Sequence, residues 1–354
     1  MARRVLKSKR RRVSPLRRFA LALYGIIVAL SAVIVVGYAA FRMMAKPPEL
    51  AQPTAPAVSA APGASAAPEE PQLQRKEYTY TFLLLANDQS SGNTDTMMVA
   101  TYDTVQQQVG LVSIPRDTMI NGVRDSDGYH FYKLNSMYAM NGIDALKEEI
   151  TKILGIPIDF YVKVDTKGFV DLVDAVGGIY FDVPIRMSYD DPTQDLHIHF
   201  DPGMQYLNGT DALKVARCRK NSDGPGSYPN NVYDAYSNSD IGRTETQRNL
   251  LITVLQAALS QPLKLPTYYE IFLENVKTDL TLSDLAFFAE SALSLDFSTG
   301  LSTAVLPGDG SVTYHGWEWC YELYPDQVLE IVNTQGLNPY TTDITADMLD
   351  IAQT

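Results

Sequence analysis

The sequence predicts an α/β protein: a layered α-β-α domain around a central mixed β-sheet, preceded by one transmembrane helix. Three observations predict it. The apolar runs YTYTFLLLA, DTMMVATYD and QVGLVSI, each bounded by turn-forming residues and rich in β-favouring types, read as central strands. After them, segments of helical and strand-like pattern alternate. Ahead of them, residues 19–41 (FALALYGIIVALSAVIVVGYAAF) carry no charge. At ~1.5 Å rise per residue that stretch can cross a hydrocarbon core of ~30 Å.

The N-terminal organisation follows from charge. Residues 1–18 contain nine Lys/Arg and no acidic residue, which predicts a cytoplasmic basic tail and an exported remainder by the positive-inside rule. The apolar run exceeds the ~7–15 residues of a cleaved signal's core, so an uncleaved signal anchor is expected. Residues 42–76, rich in Ala and Pro, lack the apolar content to build a core and read as a semi-extended spacer. The extracellular domain is expected over 77–354.

Within that domain, Ile143, Leu146, Ile150, Ile153 and Leu154 fall on one face of a helix, followed by the strand-like IDFYVKV. KGFVDLVDAVGG predicts a helix closed by Gly177 and Gly178, IYFDV a strand, and GTDALKVAR a helix capped by Thr or Asp. Arg243 to Gln261 predicts a long amphipathic helix stopped by Pro262, with Leu250, Leu251, Val254, Leu255 and Ala258 forming its apolar stripe. Thr281 and Asp284 form a capping-box-like helix start. Residues 221–239 predict a long surface loop.

Charge excludes one function class. The net charge of -12 combines nine N-terminal cations with 20 basic and 41 acidic residues elsewhere, and so acidic a body lacks the basic footprint that nucleic acid requires. Cys218 and Cys320 leave open one bridge or two buried free thiols, the latter preferred. No Walker loop, nucleophile elbow or dinucleotide fingerprint occurs in a credible setting. His197 and His199 alternate along a strand; without a third clustered ligand they read as exposed strand residues.

Four clusters can carry chemistry. Asp88 and Asp95 bound the turn DQSSGNTD between two strands, where they can serve a hard cation or merely cap a turn. Arg116, in SIPRD, projects from a strand end, suited to a phosphate or to a surface ion pair. Arg217 and Arg219 lie two apart, so both reach one ligand only if helix gives way to extended chain between them, as is predicted; the alternative is a basic helix end favoured by the macrodipole. Asp240, Arg243 and Gln247 sit at the start of the long helix, where the N-terminus favours an anion, or simply form the polar first turn of an amphipathic core helix.

In order, Asp88, NTDTMM (93–98), SIPRD (113–117), KLNSMYAMNG (133–142), Gly177-Gly178, PGMQYLNGTDAL (202–213), Arg217, Arg219, Asp240, Arg243 and Gln247 resemble the LytR-CpsA-Psr family, over about residues 78–260. That resemblance implies a membrane-tethered enzyme that moves a glycopolymer, such as wall teichoic acid or capsule, from a polyprenyl-pyrophosphate carrier onto peptidoglycan with Mg²⁺. It implies that Asp88 and Asp95 organise the metal and deprotonate the incoming hydroxyl, and that Arg116, Arg217, Arg219 and Arg243 clamp the pyrophosphate. Asp240 and Gln247 would align the arginines, with Lys133 as a further binding residue. The sequence departs from the family pattern at Ser90, Asn93 and Thr246, where Arg is frequent, with Arg124 and Arg248 as candidate replacements. Two alternatives stand beside transfer: a lipid-pyrophosphate-binding or envelope-regulatory protein without turnover, and a pyrophosphohydrolase.

Overall fold

A computed structural model describes residues 42, 45–50, 73–87, 94–193, 195–222, 232–238 and 240–354. The expected basic tail and span (1–41) and most of the spacer lie outside the described residues. Among the described residues, no helix is long and apolar enough to cross a membrane.

The chain opens with a meander of β1 (Thr79–Asn87), β2 (Thr94–Asp103) and β3 (Gln108–Ile114), then the hairpin β4 (Met119–Arg124) and β5 (His130–Lys133). Helix α1 (Met137–Leu154) leads to β6 (Phe160–Val164), and α2 (Thr166–Val176) to β7 (Ile179–Val183). A second hairpin, β8 (Met187–Asp191) and β9 (Leu196–Phe200), is followed by β10 (Gly203–Leu207) and α3 (Gly209–Arg217). The short strands β11 (Lys220–Ser222) and β12 (Val232–Asp234) precede α4 (Asp240–Leu259) and α5 (Leu265–Asn275). The chain finishes with β13 (Val276–Thr278), α6 (Leu282–Ala292), β14 (Leu301–Val305), β15 (Gly308–Tyr314), β16 (Trp317–Leu323) and α7 (Pro325–Thr334).

The central sheet has the order β13-β6-β1-β2-β3-β14 and is mixed. The β1–β2 and β2–β3 pairs are antiparallel, whereas β6 runs parallel to β1 and β14 parallel to β3. Period-two alternation gives each strand two faces. The register sets Leu83 against Val99 and Val99 against Val112, so one row of side chains crosses three strands. That face, with Leu85, Met97 and Ile114, packs on Leu146, Ile150 and Ile153 of α1 and on Val328 and Val332 of α7. The opposite face, with Met98, Ala100 and Leu111, meets Leu251 and Ile252 of α4. Each fully buried Leu, Val or Ile contributes about 1.5–3 kcal/mol of transfer free energy, and both layers are needed to bury strands that are apolar on both sides.

A second core joins α2, α3 and α4 to the outer strands through Val173, Phe181, Ile198, Val215, Leu250 and Val254. Helix α4 is therefore buried on two sides, which corrects its expected single stripe: Leu255 is exposed while Thr244, Thr246 and Arg248 are buried.

Local signals account for most boundaries. Gly177 and Gly178 both take left-handed conformations, and their N–H groups bond the carbonyls of Asp174 and Val173, closing α2. The cap of α3 is Asn208, whose side chain accepts from Asp211 N, not the expected Thr or Asp. Gly142 breaks α1, so the regular helix begins where the apolar periodicity does.

Two compact units divide the chain. Among the described residues, one comprises 42, 45–48 and 281–290. There Thr281 and Asp284 make the expected reciprocal cap, with Asp284 accepting from Thr281 Oγ1 at 2.7 Å, and Arg42 pairs with Glu290 at 2.6 Å. The other comprises the described residues of 49–280 and 291–354 and holds the sheet's six strands. The predicted loop 221–239 is not wholly irregular, because β11 and β12 pair within it.

Candidate active site

Four chain segments converge at one end of the sheet. Asp95 is the second residue of β2, and Arg116 follows Pro115, which ends the β3 ladder by lacking an N–H. Arg116 Nη1 donates to Asp95 Oδ1 at 2.7 Å, and Arg116 Nε lies 3.4 Å from Asp117 Oδ2. Asp240 is the first residue of α4, and its two oxygens lie 2.9 and 3.0 Å from Arg243 Nη2. Arg219 Nε approaches the same Asp240 carboxylate at 3.5 Å.

The Arg243 guanidinium joins these pairs into one electrostatic cluster. Its side chain is only 8% exposed. Burial holds its pKa below the ordinary arginine value; Arg116 and Arg219 push it the same way, and the Asp240 and Asp95 carboxylates oppose them. Asp95, Arg116, Arg219, Asp240 and Arg243 thus share one field. Arg116 Nε and Arg243 Nε are shielded from solvent and make no hydrogen bond among the described residues. Buried guanidinium N–H groups without acceptors are costly, and both would be satisfied by an anion seated among these side chains.

The chain leaves the helix where the Arg pair requires it. Arg217 is the last residue of α3, Cys218 is extended (φ -64, ψ 114), and β11 starts at Lys220. Arg217 is half-buried and Arg219 exposed; the geometry above places Arg219 in the cluster. Close approach also shapes α4's first turn: a Cβ on Gly242 would stand 2.4 Å from the Tyr236 ring.

Several expected roles change. Gln247 touches β2 and α3 instead of an arginine, accepting from Thr96 Oγ1 at 2.9 Å and donating to the Ala216 carbonyl at 3.1 Å. It ties the strand of Asp95 to the helix end that precedes Arg219. Lys133 is engaged by the carbonyls of Glu318 and Trp319, at 2.9 and 3.0 Å, and by Asp117 at 3.4 Å. Thr246 donates to the Gly242 carbonyl and accepts from Tyr236, whose own pKa burial pushes up to about 12. Arg248 donates to the Ala304 carbonyl at 3.0 Å and Arg124 to His130 at 2.8 Å, so these contacts, not the cluster, hold the two candidate replacements. Asp88, Ser90 and Asn93 lie outside the described residues, but Asn87 pairs with Thr94 across the ladder, bringing the ends of their loop together.

The ion pair of Arg116 with Asp117, one of the two readings of SIPRD, is present, and Thr96 is a residue to which the sequence assigned no role. Asp117 lies between Arg116 and Lys133, and the acid beside the Arg in SIPRD was its available signal. Thr96 stands in the NTDTMM motif, but its contact with Gln247 could not be read from the sequence, since that partner lies 151 positions away.

Two groups invite a cation. Asp95 keeps a half-buried carboxylate beside the cationic cluster, a hard oxygen donor of the kind that Mg²⁺ shares with phosphate oxygens. Separately, Asp190, His197 and His199 each offer a ligand atom within 4.8 Å of the others. Both histidines are exposed strand residues, as expected, but the third clustered ligand that the sequence did not show is present. The third ligand comes from the paired strand β8, which sequence spacing does not show.

The LytR_cpsA_psr family model matches residues 54–336. The chain belongs to this family. It is 29% identical over 265 residues to the polyisoprenyl-teichoic acid–peptidoglycan teichoic acid transferase TagV of Bacillus subtilis (strain 168), covering 73% of this chain and 64% of TagV. The match thus spans less than two thirds of that relative. TagU of Bacillus cereus (strain AH820), named for the same transfer, is 32% identical over 254 residues, with 70% of this chain and 74% of TagU covered. The crystal structure of B. subtilis TagV superposes with a TM-score of 0.59 at 25% identity, covering 73% of this chain and 95% of that one. The mixed α/β architecture of this LytR_cpsA_psr member is therefore that of a solved relative.

Proposed function

We propose that this chain transfers a glycopolymer of the wall teichoic acid or capsule kind from a polyprenyl-pyrophosphate carrier to peptidoglycan. The observation that carries the reading is the convergence of Arg116, Arg219 and Arg243 with Asp95 and Asp240, in which two shielded guanidinium nitrogens have no acceptor among the described residues. Three guanidiniums and Lys133, set against Asp95, Asp117 and Asp240, leave one net positive charge, a preorganised field for a diphosphate. TagV and TagU, named as teichoic acid transferases, support the substrate class.

In the proposed step, an acceptor hydroxyl of peptidoglycan attacks the phosphorus that bears the glycopolymer. The P–O bond to the bridging oxygen breaks, polyprenyl phosphate leaves, and the hydroxyl proton passes to Asp95. Arg116, Arg219 and Arg243 hold the nonbridging oxygens, so catalysis is mainly positioning and charge neutralisation. Asp240 holds Arg243 and Arg219 in place, and Gln247 fixes the backbone near Asp95 and Arg219. Mg²⁺, when bound beside Asp95 and Asp88, would supply further neutralisation of the diphosphate.

Residues 1–18 and 19–41 support placement as a single-pass membrane protein with the catalytic domain outside the cell. The apolar carrier and the anchored chain would then meet at the same membrane.

Transfer of labelled polymer to peptidoglycan fragments, with Mg²⁺ present, tests the reading. A labelled conjugate is expected from the wild type, and a loss of at least about a hundredfold from Arg219→Ala or Asp95→Ala, the scale for removing one transition-state donor. Free polymer without conjugate would indicate hydrolysis, binding without product a non-catalytic role, and full transfer by both variants a different site.

A further inference from the structure

The transfer reaction leaves Asp190, His197 and His199 unused. They lie on the β8–β9 hairpin, where Asp190 is directly opposite His197 and Ser188 opposite His199. Side chains two apart on one strand and at the facing position of its partner share a face, so both imidazoles reach one carboxylate. His197 Nδ1 is 2.5 Å and His199 Nε2 3.2 Å from Asp190 Oδ1.

We propose that Asp190, His197 and His199 form a binding site for a divalent transition-metal ion of the Zn²⁺ class, which pins the β8–β9 hairpin. Four features argue for it. The Asp190 side chain is 3% exposed, and its Oδ2 has no hydrogen-bond partner among the described residues, so a buried carboxylate oxygen awaits a positive ligand. The three ligand atoms lie within 4.8 Å of one another. A tetrahedral Zn²⁺ site with bonds near 2.0–2.2 Å sets its ligand atoms about 3.3 Å apart, so small side-chain rotations close the shell. Both imidazoles are half exposed, which gives an ion a way in and leaves a coordination position to water.

The fourth feature lies behind the ligands. Asp195 Oδ1 stands 3.6 Å from His197 Nε2, so with Nδ1 on the metal the opposite N–H faces a carboxylate, the arrangement that orients metal-binding histidines. Two imidazoles with one carboxylate select a borderline ion. Mg²⁺ and Ca²⁺ demand oxygen donors throughout.

The site also has a structural neighbour. Ser188 N donates to Asn221 Oδ1 at 2.8 Å and Asp190 N to Ser222 Oγ at 3.2 Å, so β8 is laced to β11, the strand that follows Arg219. A metal holding β8 to β9 stiffens the layer on which that Arg-bearing segment rests.

The test is calorimetric titration of the full chain in detergent, stripped with a chelator, using Zn²⁺ alone and then with excess Mg²⁺. One saturable equivalent that Mg²⁺ does not displace is expected, and Co²⁺ in its place should give the visible absorption of a low-symmetry N/O site. His197→Ala/His199→Ala should abolish uptake, and Asp195→Asn should weaken it about tenfold. Both imidazoles are half exposed, so the double variant should keep its wild-type circular dichroism; the Asp195→Asn arm gives a second readout, since that side chain is fully exposed. No saturable uptake, displacement by Mg²⁺, or unchanged affinity in the double variant would overturn the proposal.

Discussion

Replacing Asp240 with alanine should destabilise the protein far more than loss of a surface acid does. Asp240 supplies the counter-charge to Arg243, whose side chain is 8% exposed and whose guanidinium stands in the repulsive field of Arg116 and Arg219. The truncation removes both contacts, at 2.9 and 3.0 Å, and strands the cation. Breaking a buried pair from one side costs about 3–5 kcal/mol, whereas removing both charges together is often nearly neutral. With a urea m-value of about 3 kcal/mol per molar, the unfolding midpoint of Asp240→Ala should fall by about 1–2 M. Asp240→Ala/Arg243→Met should recover most of that loss, since the Met stem refills the volume and no charge is left alone. Urea titration followed by circular dichroism on the full chain, completed as a double-mutant cycle, measures all three values. Equal midpoints for Asp240→Ala and the wild type, or a double variant less stable than Asp240→Ala, would refute the claim that burial makes Arg243 depend on Asp240.

Two further outcomes follow from buried titratable groups. Burial pushes the Cys218 thiol up to about 12 and raises that of Cys320, and both are free; a disulfide-exchange reagent at pH 8 should therefore label neither in the native protein and both in urea, and rapid native labelling would contradict this packing. On α1, burial raises the pKa of Glu149 above its ordinary 4.5 despite Lys152 at 3.4 Å. A raised carboxyl binds its proton more tightly when folded, so its stabilising contribution is complete below the unfolded value and is lost as pH rises through the folded one. Glu149→Gln should raise the urea midpoint at pH 7 and lose that advantage below pH 4.5; an equal advantage at both pH values would show that charge burial is not its cause.

The central strands, the Gly-Gly stop of α2, the extended turn after Arg217 and the Thr281–Asp284 cap were legible because each is set within a few residues. Apolar alternation decides which face a side chain takes, and a left-handed glycine or a short polar side chain closes a helix wherever it stands. The family was legible for another reason: a colinear series of short motifs is specific even where each piece is not.

Sequence by itself determined the α/β class, the main element boundaries and the set of arginines and aspartates available to bind a diphosphate. Tertiary structure alone decided which of these side chains share a field: Arg243 with Asp240, Arg219, Arg116 and Asp95, while Lys133 and Arg248 bond to main-chain carbonyls and Gln247 braces the scaffold. It also decided that Asp190 joins His197 and His199. The reason is physical. Local rules act over one turn of helix or one pleat of strand, but a field between charges depends on distance and burial, and those are set when strands pair in register and helix α4 is buried between two cores.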